Sequence, residues 1–100
     1  MKGHEKALEA REGPMPLVSE FNGIKIYLYW QDHAPPRFHA EYGEARILVE
    51  IEGATVMRGA FPFPQLKLIL AWCELHRDEL MTDWQAAKIH GAIQRIAPLT

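Results

Sequence analysis

The polar side chains that could carry chemistry are concentrated between residues 32 and 41. Asp32, His33 and His39 supply one carboxylate and two imidazoles within eight residues, and two prolines between them restrict the backbone. Such groups on a rigid backbone are typical ligands of a catalytic metal ion that keeps one position open for water. One hypothesis is therefore a divalent metal site formed by these three residues, with Glu41 as a general base or as a partner that orients a ligand.

The same cluster also has a purely structural interpretation. A D-H-x5-H arrangement is not an established ligand spacing, so Asp32 and His33 can simply organise a turn while His39 lies on a solvated strand face. We favour this interpretation and expect no cofactor; a metal-dependent hydrolase or nuclease remains the alternative. On either interpretation the candidate functional loop comprises Asp32, His33, Arg37, His39 and Glu41.

Two further reactive side chains lie in a C-terminal stretch with helical periodicity. Cys73 falls on the apolar stripe, where a free cysteine is usually an inert core residue. His76 follows one turn after Trp72 and is expected to be a half-buried packing residue rather than a ligand. A Cys73–His76 nucleophile is the less favoured alternative. The sequence contains no Gly-rich phosphate loop, nucleophile elbow or HExxH motif.

A second candidate surface comes from side chains that alternate along the strands. Lys25, Tyr27 and Tyr29 share one strand face, and the outer face of the following hairpin carries Arg37, His39 and Arg46. If the two faces coincide, they form an open sheet surface suited to stacking single-stranded bases. Exposed tyrosine and arginine suit a protein interface equally well, and that interface needs no positive potential. We therefore favour a partner protein over nucleic acid. The simplest interpretation, a solvated sheet face with no binding role, stays open.

The composition limits the class of protein. The chain has 100 residues, of which 48% are hydrophobic and 24% charged, as is typical of one globular domain. A net charge of −2 argues against a protein that mainly grips phosphate backbone. One cysteine excludes an internal disulfide, and no apolar run approaches the ~20 residues of a membrane span. We predict a cytoplasmic domain over residues 15–100, preceded by a flexible extension over residues 1–14.

The strand pattern predicts a hairpin in a defined register. Residues 24–30 alternate as a first strand, and Gly43-Glu44 has the signature of a two-residue type II′ turn. Counting outward from this turn predicts the following pairs: Tyr42–Ala45, Glu41–Arg46, Ala40–Ile47, His39–Leu48, Phe38–Val49 and Arg37–Glu50. A slip of one residue would bury the charges, so the register is strongly specified. A further turn leads into a weaker strand over residues 55–60.

From Pro64 to His90 the periodicity becomes helical, as one bent helix or as two. Thr82 to Gln85 resembles a capping box that would start a second helix, and Gly91 is expected to cap its end. Residues 92–96 are a candidate short closing strand. The fold class is therefore α+β, an antiparallel three- to four-stranded sheet with a C-terminal helix or helix pair packed on one face.

Three segments together resemble a family of small bacterial proteins, the domain of unknown function 4160 family. They are M-P-L-V-S-E-F-N-G-I-K-I from Met15, D-H-A-P-P-R-F-H-A-E-Y from Asp32, and W-C-E-L-H-R-D-E-L from Trp72, followed by Trp84. The resemblance covers roughly residues 15–100. The family commonly has a further histidine at the position of Arg37, and its absence here weakens a three-histidine metal site.

The resemblance implies no established reaction, but it implies a setting in small operons of toxin–antitoxin type. Together with the exposed strand face, it favours a non-enzymatic binding module that associates with a partner protein, or with nucleic acid, and not with a membrane. Self-association as a homodimer is a third hypothesis, because Trp72, Trp84 and residues 93–99 carry additional apolar surface.

Overall fold

A computed structural model of the chain describes residues 15–99. Five strands precede two helices: β1 (Leu17–Phe21), β2 (Ile24–Tyr27), β3 (Arg37–Tyr42), β4 (Ala45–Glu50), β5 (Thr55–Gly59), α1 (Phe63–Leu75) and α2 (Arg77–Lys88). Each strand pairs antiparallel with the next, which gives the sheet order β1-β2-β3-β4-β5. The α+β class is confirmed, with five strands rather than three to four. The predicted extension over residues 1–14 lies outside the described residues.

The strand that sequence analysis missed is β1. It joins β2 through a two-residue turn in which Asn22 and Gly23 both have positive φ, at 50° and 78°. Positive φ at both central residues is what a type I′ hairpin turn requires, and Asn-Gly is its preferred sequence. The alternation in β1 is disturbed by a bulge between Leu17 and Ser19, which leaves Val18 and Ser19 both buried. The bulge explains why no period of two is visible there.

The predicted β3–β4 hairpin is confirmed, from Tyr42–Ala45 at the turn to Arg37–Glu50 at the far end. Gly43 has φ 58°, as the first central residue of a type II′ turn requires. The inward face of this hairpin carries Phe38, Ala40, Ile47 and Val49, all at most 3% exposed. The hydrophobic pattern and the turn geometry therefore agree on one register.

The strand predicted over residues 24–30 ends earlier, at Tyr27. Trp30 lies beyond the strand, is half-buried and stacks on His90 with ring centroids 5.0 Å apart. Gln31 adopts a positive φ of 54°, and its amide donates to the carbonyl of Ala87 at 3.2 Å. The chain therefore leaves the sheet after Tyr27 and attaches the following loop to α2.

Both helices lie on the sheet face that carries the hydrophobic residues. Trp72 of α1 is fully buried and contacts Phe38 edge-on at 5.8 Å and Phe21 at 5.9 Å between ring centroids. Ile69, Leu80 and several other helical side chains join the sheet residues in one hydrophobic cluster. Neither of these two helices covers the opposite face of the sheet.

The helical region consists of two helices that meet at His76. Its amide donates to the carbonyl of Trp72 at the end of α1, and α2 begins at Arg77. The predicted capping box at Thr82 is wrong, because the cap residue is His76, six residues earlier, and Asp78 and Glu79 supply favourable negative charge in the first turn. Thr82 therefore lies inside α2.

The end of α2 also differs from the prediction. The left-handed residue is His90, with φ 57°, and not Gly91. Gly91 instead donates its amide to the carbonyl of Ala86 at 2.7 Å, a bond from the third residue past the helix end that closes the last turn. A left-handed conformation is sterically unfavourable for histidine, and stacking on Trp30 holds the His90 side chain in place.

The C-terminal segment, residues 91–99, contains no strand, so the predicted closing strand at residues 92–96 is not formed. The segment instead packs beside β1 and α1 and forms one hydrogen bond with each. The amide of Ile96 donates to Val18 of β1 at 2.8 Å, and the Trp72 indole N–H donates to the carbonyl of Ala97 at 2.8 Å. These bonds fasten the segment to β1 and α1.

Candidate functional site

The two strand faces singled out by sequence analysis coincide. Strand β2 pairs with β3 so that Lys25 lies opposite Glu41 and Tyr27 opposite His39. Directly opposed residues share a face of an antiparallel sheet, so all four side chains lie on the face away from the helices. We call this surface the outer sheet face.

One row of cross-strand neighbours crosses the outer sheet face from edge to edge. Its members, one from each strand, are Leu17, Tyr27, His39, Leu48 and Arg58. Leu48 is only 7% exposed although neither α1 nor α2 covers this face. A bulge between Leu48 and Val49 places Arg58 opposite Leu48 and Val56 opposite Val49. The row therefore combines aromatic, imidazole, aliphatic and guanidinium groups on one surface.

Tyr27 and His39 are candidate site residues predicted from the sequence, whereas Leu48 and Arg58 are not. The derived register already paired Leu48 with His39, so that pairing was the available signal. The position of Arg58 depends on the β5 bulge, which the weak alternation of that strand does not reveal.

The side chain of His39 is held from two sides. Its ring stacks on Tyr29 with centroids 3.9 Å apart and planes inclined by 17°. Its Nε2 lies 3.0 Å from Oδ2 of Asp32, whose other oxygen accepts the backbone amide of His33 at 2.7 Å. Asp32, at 10% side-chain exposure, thus connects the loop after β2 to the middle of β3. The result is a preorganised Tyr29–His39–Asp32 cluster on the outer sheet face.

The remaining loop residues have separate roles. The Arg37 guanidinium turns back to donate to the carbonyls of Ala34 and Pro35 at 2.8 and 3.2 Å. Glu41 accepts from Arg46 at 2.7 Å, a cross-strand ion pair that the predicted register places side by side. Exposed pairs of this kind contribute about 0–1 kcal/mol, so this one mainly restricts the direction of both side chains.

The hypothesis of a three-ligand metal site is not supported by this geometry. Asp32 and His39 lie together, but His33 is exposed and contributes only its backbone amide to Asp32. Within residues 15–99, no group of three or more His, Cys, Asp or Glu side chains is placed to hold a metal ion. What the arrangement offers is one imidazole–carboxylate pair.

A shallow cleft of about 130 Å³ lies beside the cluster and is lined by His39, Arg46, Ile47, Leu48 and Arg58. Two guanidinium groups and an imidazole thus line the cleft beside the Leu48 side chain. Across the same row, burial raises the pKa of the Tyr27 hydroxyl, and the carboxylates of Glu41 and Glu20 raise it further against the opposing effect of Arg46. Tyr27 therefore keeps its proton at neutral pH and can donate a hydrogen bond.

Cys73 and His76 lie on the helical side of the sheet, away from the outer sheet face. The Cys73 thiol is fully buried and lies 3.5 Å from the carbonyl of Ile51. His76, at 13% side-chain exposure, packs beside Trp72 with centroids 5.5 Å apart and pairs through Nδ1 with Glu79. The packing role expected for His76 agrees with these contacts.

We expect Cys73 to be unreactive in the native protein. Burial raises the pKa of its thiol to about 11, with Arg77 lowering it and Glu74 raising it to smaller extents. Thiolate is the reactive form, so little of it is present at pH 8. A colorimetric disulfide reagent should modify less than about a tenth of the thiol at pH 8 in the time that modifies all of it in guanidinium chloride. Equal rates in both conditions would contradict the buried position.

Together the fold and the site define a small α+β protein with helices on one sheet face and a preorganised cluster on the other. The family model described as domain of unknown function (DUF4160) matches residues 23–85, so the chain belongs to this family. The match includes the Asp32–His39 loop and most of both helices. No curated protein and no solved structure matches the chain significantly. Neither helix within residues 15–99 has the length and apolar character needed to cross a bilayer.

Proposed function

We propose that this protein is a non-enzymatic binding module that holds a partner protein on its outer sheet face. The observation that carries the proposal is the Tyr29–His39–Asp32 cluster, in which an imidazole is fixed by an aromatic stack and a carboxylate beside an arginine-lined cleft. Tyrosine and arginine are enriched among the residues that dominate protein interfaces. Side chains that are already fixed lose little conformational entropy on binding.

The distribution of charge favours a protein over nucleic acid. The outer row Glu20–Lys25–Glu41–Arg46 alternates in sign, and Glu41 already neutralises Arg46 at 2.7 Å. A phosphate backbone requires an excess of cations, whereas the whole chain has a net charge of −2. The cleft between His39 and Arg58 supplies local positive charge, which fits an acidic side chain of a protein partner.

The operon setting of toxin–antitoxin type that the family resemblance implies makes the product of a neighbouring gene the first partner to test. In such a pair this chain would act by association and not by catalysis. A second copy of this chain, bound through the same face as a homodimer, is one competing ligand. Nucleic acid, bound alone or together with the partner, is another.

A metal-dependent hydrolase or nuclease remains the alternative function. Its support is the Asp32–His39 pair, because a carboxylate at 3.0 Å is the group that orients a catalytic imidazole. The alternative predicts micromolar binding of zinc, manganese or nickel by calorimetry, lost in His39→Ala. The binding module predicts no such isotherm.

The binding proposal is tested by co-expressing the chain with the neighbouring gene product and measuring the complex by native mass spectrometry. Arg58→Ala and Tyr29→Ala should each weaken the complex about tenfold or more, as residues that dominate an interface do. Lys67→Ala is the matched control for Arg58→Ala, since it also removes one positive charge but lies on α1, and it should leave the affinity unchanged.

Three outcomes would overturn the binding proposal. The first is equal weakening by Lys67→Ala and Arg58→Ala, which would place the interface elsewhere. The second is a complex that contains only copies of this chain. The third is saturable binding of a single-stranded oligonucleotide in place of a protein.

A further inference from the structure

A second concave region lies on the helical side of the domain, between α2 and the C-terminal segment. It is a cleft of about 320 Å³, lined by Asp78, Glu79, Thr82, Asp83, Gln94, Arg95 and Ile96. It shares no residue with the cleft on the outer sheet face.

Asp83 is the unusual member of this lining. Asp83 is only 2% exposed, and its Oδ1 accepts a hydrogen bond from the backbone amide of Gln94 at 2.9 Å. The second oxygen, Oδ2, is buried and has no hydrogen-bond partner among residues 15–99. Buried carboxylates normally have both oxygens satisfied, because an unpaired one loses its hydration without compensation. A structural role in fastening Gln94 explains Oδ1 and leaves Oδ2 unexplained.

The electrostatics around Asp83 identify the kind of group that would satisfy it. Burial raises the pKa of Asp83, the amide of Gln94 lowers it, and nearby Glu79 raises it. The cleft wall carries the carboxylates of Asp78, Glu79 and Asp83 against the one guanidinium of Arg95. A donor that bears positive charge would relieve the unpaired oxygen and the excess negative charge together.

We propose that this cleft binds a small organic cation, a guanidinium or alkylammonium group on a short aliphatic chain, with Asp83 Oδ2 accepting its hydrogen bond. A guanidinium fits best, because its planar fork of donors matches a carboxylate geometrically. The Thr82 hydroxyl can accept a second donor, and Ile96 offers apolar surface to the aliphatic chain.

The size of the cleft agrees with this class of ligand. A volume of about 320 Å³ equals roughly ten water molecules at ~30 Å³ each. Butylguanidinium, with eight non-hydrogen atoms, fits such a space. A ligand of this size that makes one charged contact is expected to bind in the millimolar range.

The test compares two probes of nearly identical shape on the unaltered protein. Butylguanidinium carries the charge, and butylurea replaces it with a neutral amide. Binding is followed by ¹H–¹⁵N NMR, with the Gln94 amide as the reporter because it donates directly to Asp83. We expect saturable shifts at Gln94 with butylguanidinium and an affinity about tenfold or more above that of butylurea.

Substitutions in the cleft separate Asp83 from the general negative charge. Asp83→Asn retains an oxygen for the Gln94 amide and should weaken butylguanidinium about tenfold or more. Asp78→Asn removes an exposed carboxylate of the same cleft and should change the affinity less than about threefold. Arg95→Gln removes the competing cation and should strengthen binding.

Two results would overturn the proposal. One is equal affinity for butylguanidinium and butylurea, and the other is no shift at Gln94 with butylguanidinium up to about 50 mM. Both are measured on the unaltered chain, so the proposal stays decidable if Asp83→Asn does not fold. Neither result bears on the outer sheet face, which uses different residues.

Discussion

Replacing Gly59 by alanine is expected to destabilise the protein by about 3 kcal/mol or more, which is a large part of the stability of a domain of this size. Gly59 has φ 86°, and a Cβ atom there would lie 2.1 Å from the carbonyl oxygen of Arg46. The obstructing atom is backbone in β4, so the clash cannot be relieved by rotating a side chain. Urea denaturation followed by circular dichroism measures the loss.

Gly43→Ala is the matched control for this prediction. Gly43 also has positive φ, at 58°, but apart from its two chain neighbours no residue described by the structure has an atom within 4 Å of the position a Cβ would take. Only the conformational cost remains there, about 1–2 kcal/mol. Equal destabilisation by the two substitutions would contradict the close approach of β5 to β4 at Gly59. It would also contradict the position of Arg58 on the outer sheet face.

Trp72→Ala is expected to cost about 3–5 kcal/mol, the range for deleting a large buried aromatic side chain. Trp72 is fully buried, contacts Phe21 and Phe38 of the sheet, and donates its indole N–H to Ala97 at 2.8 Å. One side chain therefore connects α1, the sheet and the C-terminal segment. Equilibrium unfolding in urea measures the change in free energy.

Two substitutions on the same helix separate the contributions to that value. Trp72→Phe keeps an aromatic ring but loses the hydrogen bond to Ala97, so it should cost less than Trp72→Ala. Leu75→Ala removes a side chain that is 67% exposed and should cost less than about 0.5 kcal/mol. A cost for Leu75→Ala comparable to that of Trp72→Ala would contradict the packing of α1 described above.

The parts of the fold that sequence analysis predicted correctly are those fixed by local chemistry. The turn at Gly43 and the alternation around it determined every pair from Tyr42–Ala45 to Arg37–Glu50. The same period of two placed Tyr27 and His39 on one outer face once the strands paired. In both cases a short-range pattern and the burial of one face specify the same arrangement.

The features that were missed depend on irregular backbone or on contacts between distant residues. Bulges in β1 and beside β5 interrupt the alternation, which concealed the first strand and the outward position of Arg58. The capping box at Thr82 does not form because the helix starts earlier, at Arg77. The neighbouring Asp83 instead accepts a hydrogen bond from the amide of Gln94, eleven residues away. The stack of Tyr29 on His39 likewise requires the chain to leave the sheet after Tyr27.

The central claim, that the outer sheet face holds a partner protein, is tested most directly by amine cross-linking of the complex and mass spectrometry. The described residues contain three lysines, of which Lys25 lies on the outer sheet face and Lys67 and Lys88 lie on the helices. We predict cross-links from Lys25 to partner peptides. Arg58→Ala should lower the yield of these cross-links in proportion to the loss of complex. Partner cross-links confined to Lys67 and Lys88 would place the interface on the helices and contradict the claim.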